Sequence, residues 1–134
     1  MLYLFGTGAY DSPRKALKVG YTDDRKDVER RKAYLIHNPL GKFLAERDGD
    51  KILELKLHLR LSDYKADFLD EWFYDEEPVI NIFGEPVSKI NEWLWANRTK
   101  IFPEIPRPGS LKRKIYDELY GIYGGNIRFG EKSL

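Results

Sequence analysis

Apolar positions along the chain change their period several times, and each change predicts an element. Leu2-Tyr3-Leu4-Phe5 is a short, continuous apolar run that stops at Gly6-Thr7-Gly8, the pattern of a strand followed by a turn. After a loop at Asp11-Ser12-Pro13-Arg14, Ala16 to Tyr21 reads as a second strand, and the two suggest an antiparallel hairpin. Thr22-Asp23-Asp24 supplies candidate N-caps for a helix over about 25–36, which Asn38-Pro39 would end. Lys42 to Arg47 reads as a third strand, closed by the turn Asp48-Gly49-Asp50.

Residues 53–61 carry two conflicting signals. Leu53, Leu55, Leu57, Leu59 and Leu61 alternate with polar positions, which is strand periodicity, yet leucine is a good helix former and no β-branched residue appears among them. Further on, Asp70 to Tyr74 is an aromatic cluster after a loop. Ser88 stands as an N-cap before Ile90, Trp93, Leu94 and Asn97, so a helix over about 88–98 is expected. Pro103, Pro106 and Pro108-Gly109 form a stiff connector. Ser110 then caps a last helix with Leu111, Ile115, Leu119 and Ile122 on one stripe, stopped by Gly121 or Gly124-Gly125.

Composition narrows the function classes. The 134 residues suffice for one ordinary domain with a small appendage, and 42% hydrophobic and 14% aromatic residues exclude a wholly disordered chain. No apolar stretch reaches transmembrane length, so no membrane partner is expected. Met1 to Phe5 is too short for a secretory core and follows no basic residue, so an intracellular, cytoplasmic location is expected. With no cysteine and only His37 and His58, disulfides, thiol chemistry and cysteine or multi-histidine zinc sites are not expected. The net charge of +1 conceals a division. Residues 1–47 hold ten Lys/Arg against six Asp/Glu, residues 48–97 five against twelve, and residues 98–134 eight against four. Basic ends suit phosphate, and an acidic middle suits a metal, although solvated faces of a soluble domain give the same pattern.

An ordered set of residues gives this division a meaning. Tyr3 lies on the first strand, Lys18-Val19-Gly20 at the end of the second, and Arg30 and Tyr34 one turn apart on the first helix. Glu54 and His58 follow as a Glu-x-x-x-His pair, and Glu71-Trp72-Phe73 comes after them. Over residues 2–83 the chain resembles the GIY-YIG nuclease family, most closely the small phage-associated branch, where the second half-motif reads Lys-Ile-Gly in place of Tyr-Ile-Gly. The resemblance implies an α+β fold, with a small three-stranded antiparallel sheet flanked by helices. It also favours a helix over 53–61. Residues 84–134, which it does not cover, would form a helical C-terminal extension to a core over 1–83.

The resemblance further implies a DNA endonuclease that hydrolyses a phosphodiester with Mg²⁺ or Mn²⁺. Such chemistry needs a base for water, positive charge on the phosphate and a metal at the leaving oxygen. Tyr3 would orient or deprotonate the water. A free phenol has a pKa near 10, so a neighbouring cation would have to lower it. Lys18 would supply that cation or hold phosphate, and Tyr21 is a candidate for the missing second phenol. Gly20 would let the chain turn towards the helix. Arg30, with Arg31 as its rival, would clamp the scissile phosphate, and Tyr34 would share its face. Glu54 would be the single metal carboxylate, sufficient for an ion that keeps several waters. His58 would orient Glu54 or contact phosphate, or serve simple hydrogen bonding. Asn81 and Asn91 are the nearest candidates for the family's late asparagine.

In the C-terminal third, Lys112 and Arg113 sit at a capped helix start, where phosphate contact is physically sensible, and Tyr116, Tyr120 and Tyr123 add stacking capacity. Specificity in such nucleases comes from a homodimer or an attached DNA-binding region. Two other classes compete: a nucleic-acid-binding module that has lost full chemistry, and a protein-interaction or inhibitor protein using Trp72, Trp93 and Trp95.

Overall fold

The computed structural model describes residues 1–6, 16–22, 42–66, 72–74 and 77–124. The expected helix over 25–36, with Arg30, Arg31 and Tyr34, lies outside the described residues, as do Glu71 and residues 125–134. The chain divides into two compact units, Met1–Glu85 and Pro86–Leu134.

The first unit is α+β. Its strands are β1 (Leu2–Gly6), β2 (Ala16–Tyr21), β3 (Lys42–Arg47) and β4 (Trp72–Tyr74), and its helices are α1 (Lys51–Arg60) and α2 (Glu77–Phe83). The sheet has four strands in the order β3-β1-β2-β4, every pair antiparallel, so the expectation of three strands is corrected. The fourth was missed because it is three residues long, too short for an alternation to register. β1 is buried along Leu2 to Phe5, which is why its apolar run is continuous rather than alternating: both faces of the sheet are covered.

The register sorts those faces. Tyr3 opposes Gly20, Phe5 opposes Lys18, and Lys18 opposes Trp72, so these side chains share one face, where the Phe5 and Phe43 rings lie 4.9 Å apart. Leu2, Leu4, Leu17, Val19 and Phe73 occupy the other. A register shift between Leu4 and Phe5 leaves Leu44 as an extra residue on β3.

The conflict over residues 53–61 resolves as a helix. The Asp50 side chain accepts from the Leu53 amide at 2.9 Å and starts α1 inside what read as a turn. Leu53, Leu57 and Leu61 recur every fourth residue and are buried, whereas Leu55 and Leu59 are half-buried. α2 was not anticipated. Arg47 donates from Nη1 to the carbonyls of Phe83 and Glu85, 2.7 Å each, and so ties the end of α2 to β3.

The second unit is helical among its described residues: α3 (Val87–Ala96), α4 (Arg98–Ile101) and α5 (Leu111–Tyr123). α3 starts one residue before the expected Ser88 cap, with Pro86 at the N-cap position and no side-chain cap bond. Asn97 ends it by donating from Nδ2 to the Trp93 carbonyl at 2.9 Å. Ser110 caps α5 as expected, accepting from the Arg113 amide at 3.1 Å. The expected stripe on α5 is half right. Ile115 and Leu119 are fully buried, but Leu111 and Ile122 are 38% and 54% exposed. The half-buried positions Tyr116, Tyr120 and Tyr123 flank the buried pair instead.

Candidate active site

Three expected residues gather around the end of β2. Tyr3 lies across from Gly20, and a β-carbon at position 20 would collide with the Tyr3 hydroxyl and ring. Gly20 is therefore not a turn: it lies within β2, and the only described residue in the left-handed region is Gly109, at φ 83°. What the site needs from glycine is the missing side chain, which lets the phenol lie against the backbone. Lys18, half-buried, stands two residues earlier on the same face. Glu46, directly across from Tyr3 on β3, adds an exposed carboxylate to it. The sequence reading passed over Glu46, although its place in a six-residue strand could have flagged it.

α1 approaches the end of β2 along its own Lys51–Glu54–His58 face. Lys51 Nζ is 5.9 Å from the Tyr21 ring centroid, and His58 Nε2 lies 2.8 Å from the Val19 carbonyl oxygen. Since a carbonyl only accepts, Nε2 carries the proton and donates. Among the described residues the last β2–β4 pair is Lys18–Trp72, one position before Val19. The His58 ring also lies 5.7 Å from that of Phe73. These two anchors set α1 antiparallel to β2. Glu54 lies between them on the same helix face; because Tyr21 and Phe73 belong to the sheet face opposite Tyr3 and Lys18, α1 packs on that opposite face. Glu54 is half-buried in the first turn of α1, where the helix dipole favours a carboxylate.

Among the described residues no cluster of three or more His, Asp and Glu side chains could enclose a metal. A carboxylate such as that of Glu54 is the kind of ligand a hard cation that keeps most of its waters takes. Asn81 is exposed on α2, and Asn91 is buried on α3 in the second unit.

In the second unit, Lys112 and Arg113 take different places. Arg113 donates from Nε to Asp117 Oδ1 at 3.0 Å and from Nη1 to the Pro106 carbonyl at 3.2 Å, holding the preceding loop against α5. Lys112 instead borders a depression with Pro106 and Arg107. No described helix is long and apolar enough to cross a membrane. Comparison of the chain with family models, curated proteins and solved structures returns no match.

Proposed function

We propose that the chain is a divalent-metal-dependent DNA endonuclease of GIY-YIG type. The observation that supports this best is the seat of Tyr3: its phenol rests on Gly20, with Lys18 two residues along the same face. In this reading Tyr3 orients the attacking water and Lys18 favours the phenolate by its charge. His58 is a positioning residue that fixes the end of β2 through the Val19 carbonyl. Arg30 or Arg31 clamps the scissile phosphate. Glu54 holds the metal, which when bound supplies positive charge to the phosphate and leaving oxygen.

One observation favours a second reading, a nucleic-acid-binding module without chemistry: Tyr3 is 1% exposed, and a phenol so enclosed serves packing well.

The test is nicking of supercoiled plasmid in Mg²⁺ and in EDTA, beside Glu54→Ala and Arg30→Ala variants shown to be folded by circular dichroism. Metal-dependent nicking that disappears in both variants is expected. Absence of cleavage in Mg²⁺ and Mn²⁺ on plasmid, single-stranded and branched DNA would sink the nuclease. Salt-sensitive binding without cleavage would put the binding module in its place.

A further inference from the structure

Aromatic rings follow one another through the C-terminal unit. Phe102 meets Tyr116 at 5.4 Å between centroids, Tyr116 meets Tyr120 at 4.6 Å, and Tyr120 meets Trp95 at 4.9 Å. Phe102 is buried, but Tyr116, Tyr120 and Trp95 are only half-buried. A groove opens over Phe102, Tyr116 and Tyr120, walled by Pro103 to Ile105 and by Arg98. A second depression lies between Pro103 to Arg107 and Lys112. Ile105 borders both and is 66% exposed, the most exposed large apolar side chain described. Cations accompany the rings: the Arg98 guanidinium is 4.0 Å from the Trp95 ring centroid, and Lys112 Nζ is 5.8 Å from that of Phe102.

We propose that this groove binds a single strand of nucleic acid, with bases lying against Tyr116, Tyr120 and Ile105 and phosphates following Arg98, Arg107 and Lys112. The proposal rests on the nucleic-acid reading above and names the form of strand that the second unit takes. Half-open rings reward a ligand whose flat faces are uncovered, as in an unpaired strand; a duplex keeps those faces stacked inside. Charge selects the polyanion over an apolar peptide. Residues 86–134 hold nine Lys/Arg against five Asp/Glu, and the two depressions are bordered by Arg98, Arg107 and Lys112 against a single carboxylate, Glu104. Glu104 repels phosphate, so it belongs on the base side, where it accepts from an exocyclic amine such as that of cytosine.

The experiment is fluorescence anisotropy on the full chain in EDTA, which separates binding from cleavage. The probes are a labelled cytosine-rich DNA oligonucleotide, its duplex with the complementary strand, and the RNA of the same sequence. The single strand is expected to bind at least about tenfold tighter than the duplex, as one stacked base would supply. Ile105→Glu and Arg107→Glu change exposed side chains outside the helices, and each is expected to weaken single-strand binding by about tenfold. Preference for RNA or DNA would identify which strand the groove serves, and either supports it. Equal affinity for duplex and single strand, unchanged binding in both groove variants, or no binding at all would overturn the groove. Tight single-strand binding by a chain that never cleaves would leave the groove standing and remove the nuclease. Metal-dependent cleavage unchanged by Ile105→Glu and Arg107→Glu, without single-strand preference, would do the reverse.

Discussion

Gly20 carries more of the candidate site than its size suggests, because what it contributes is an absence. The Tyr3 phenol occupies the space that any other side chain at position 20 would fill. Gly20→Ala forces the ring or the strand to move and should cost about 1–3 kcal/mol, as overpacking does elsewhere. The cost should vanish when the ring is gone. In a Tyr3→Val background the same substitution should be nearly neutral, and urea denaturation of the four proteins would read that coupling directly. Additive costs would mean that Gly20 is needed for some other reason. This relationship was not legible in the sequence, where a glycine after Lys18-Val19 reads as punctuation. Only the pairing of β1 with β2 shows that it faces a tyrosine seventeen positions away. His58 was half legible: its spacing from Glu54 put both on one helix face, but nothing in the sequence indicated the Val19 carbonyl as its partner.

Among the elements, α1 shows how two local signals compete. Five leucines in strict alternation would lie on one side of a strand and be equivalent; in the helix they divide. Leu57→Ala, at a fully buried site, should cost about 2–5 kcal/mol, and Leu55→Ala, half-buried, distinctly less. Equal costs in thermal denaturation would favour the strand. Helix won because the chain offers an aspartate cap at position 50 and leucine's intrinsic preference, both of which were on view in the sequence. Asp50→Ala should lower stability by about 1 kcal/mol in the same measurement. α5 packs near α3 in a way that touches acid–base behaviour. Burial, and secondarily the Glu92 carboxylate, raise the Tyr123 phenol above its ordinary value of 10.0. The folded state therefore holds that proton more tightly than the unfolded chain. Its contribution is complete below pH 10 and is lost as pH rises through the raised folded value. Spectrophotometric titration should find the Tyr123 phenol ionising late, and Glu92→Gln should bring it part of the way back; an unmoved titration would remove the Glu92 contribution.

For the whole molecule, the uneven charge seen along the sequence becomes a division between units. Residues 1–85 hold fourteen Lys/Arg against seventeen Asp/Glu, and residues 86–134 nine against five. The first three strands and the capped last helix were legible because each has a local signature, whereas the helix at 51–60 was favoured over a strand only by the family resemblance. β4 and α2 were not legible, since three residues of strand and seven of helix depend on neighbours for their stability. The charge division has a consequence for binding that contacts alone do not give. A net-negative first unit repels a polyanion at long range, so attraction must come from the second, and its strength must depend on salt. Each cation that neutralises a phosphate releases counterions, and for a single strand the slope of log affinity against log salt changes by about 0.7 per contact. Lys112→Ala should therefore flatten that slope by roughly 0.7 while lowering affinity for all sequences alike. Arg113→Ala should barely change it, because that guanidinium already serves Asp117 and the Pro106 carbonyl. Anisotropy titrations across a salt series would separate the two. If Arg113 carried the slope and Lys112 did not, the phosphate path would have to leave the groove and run along the α5 surface.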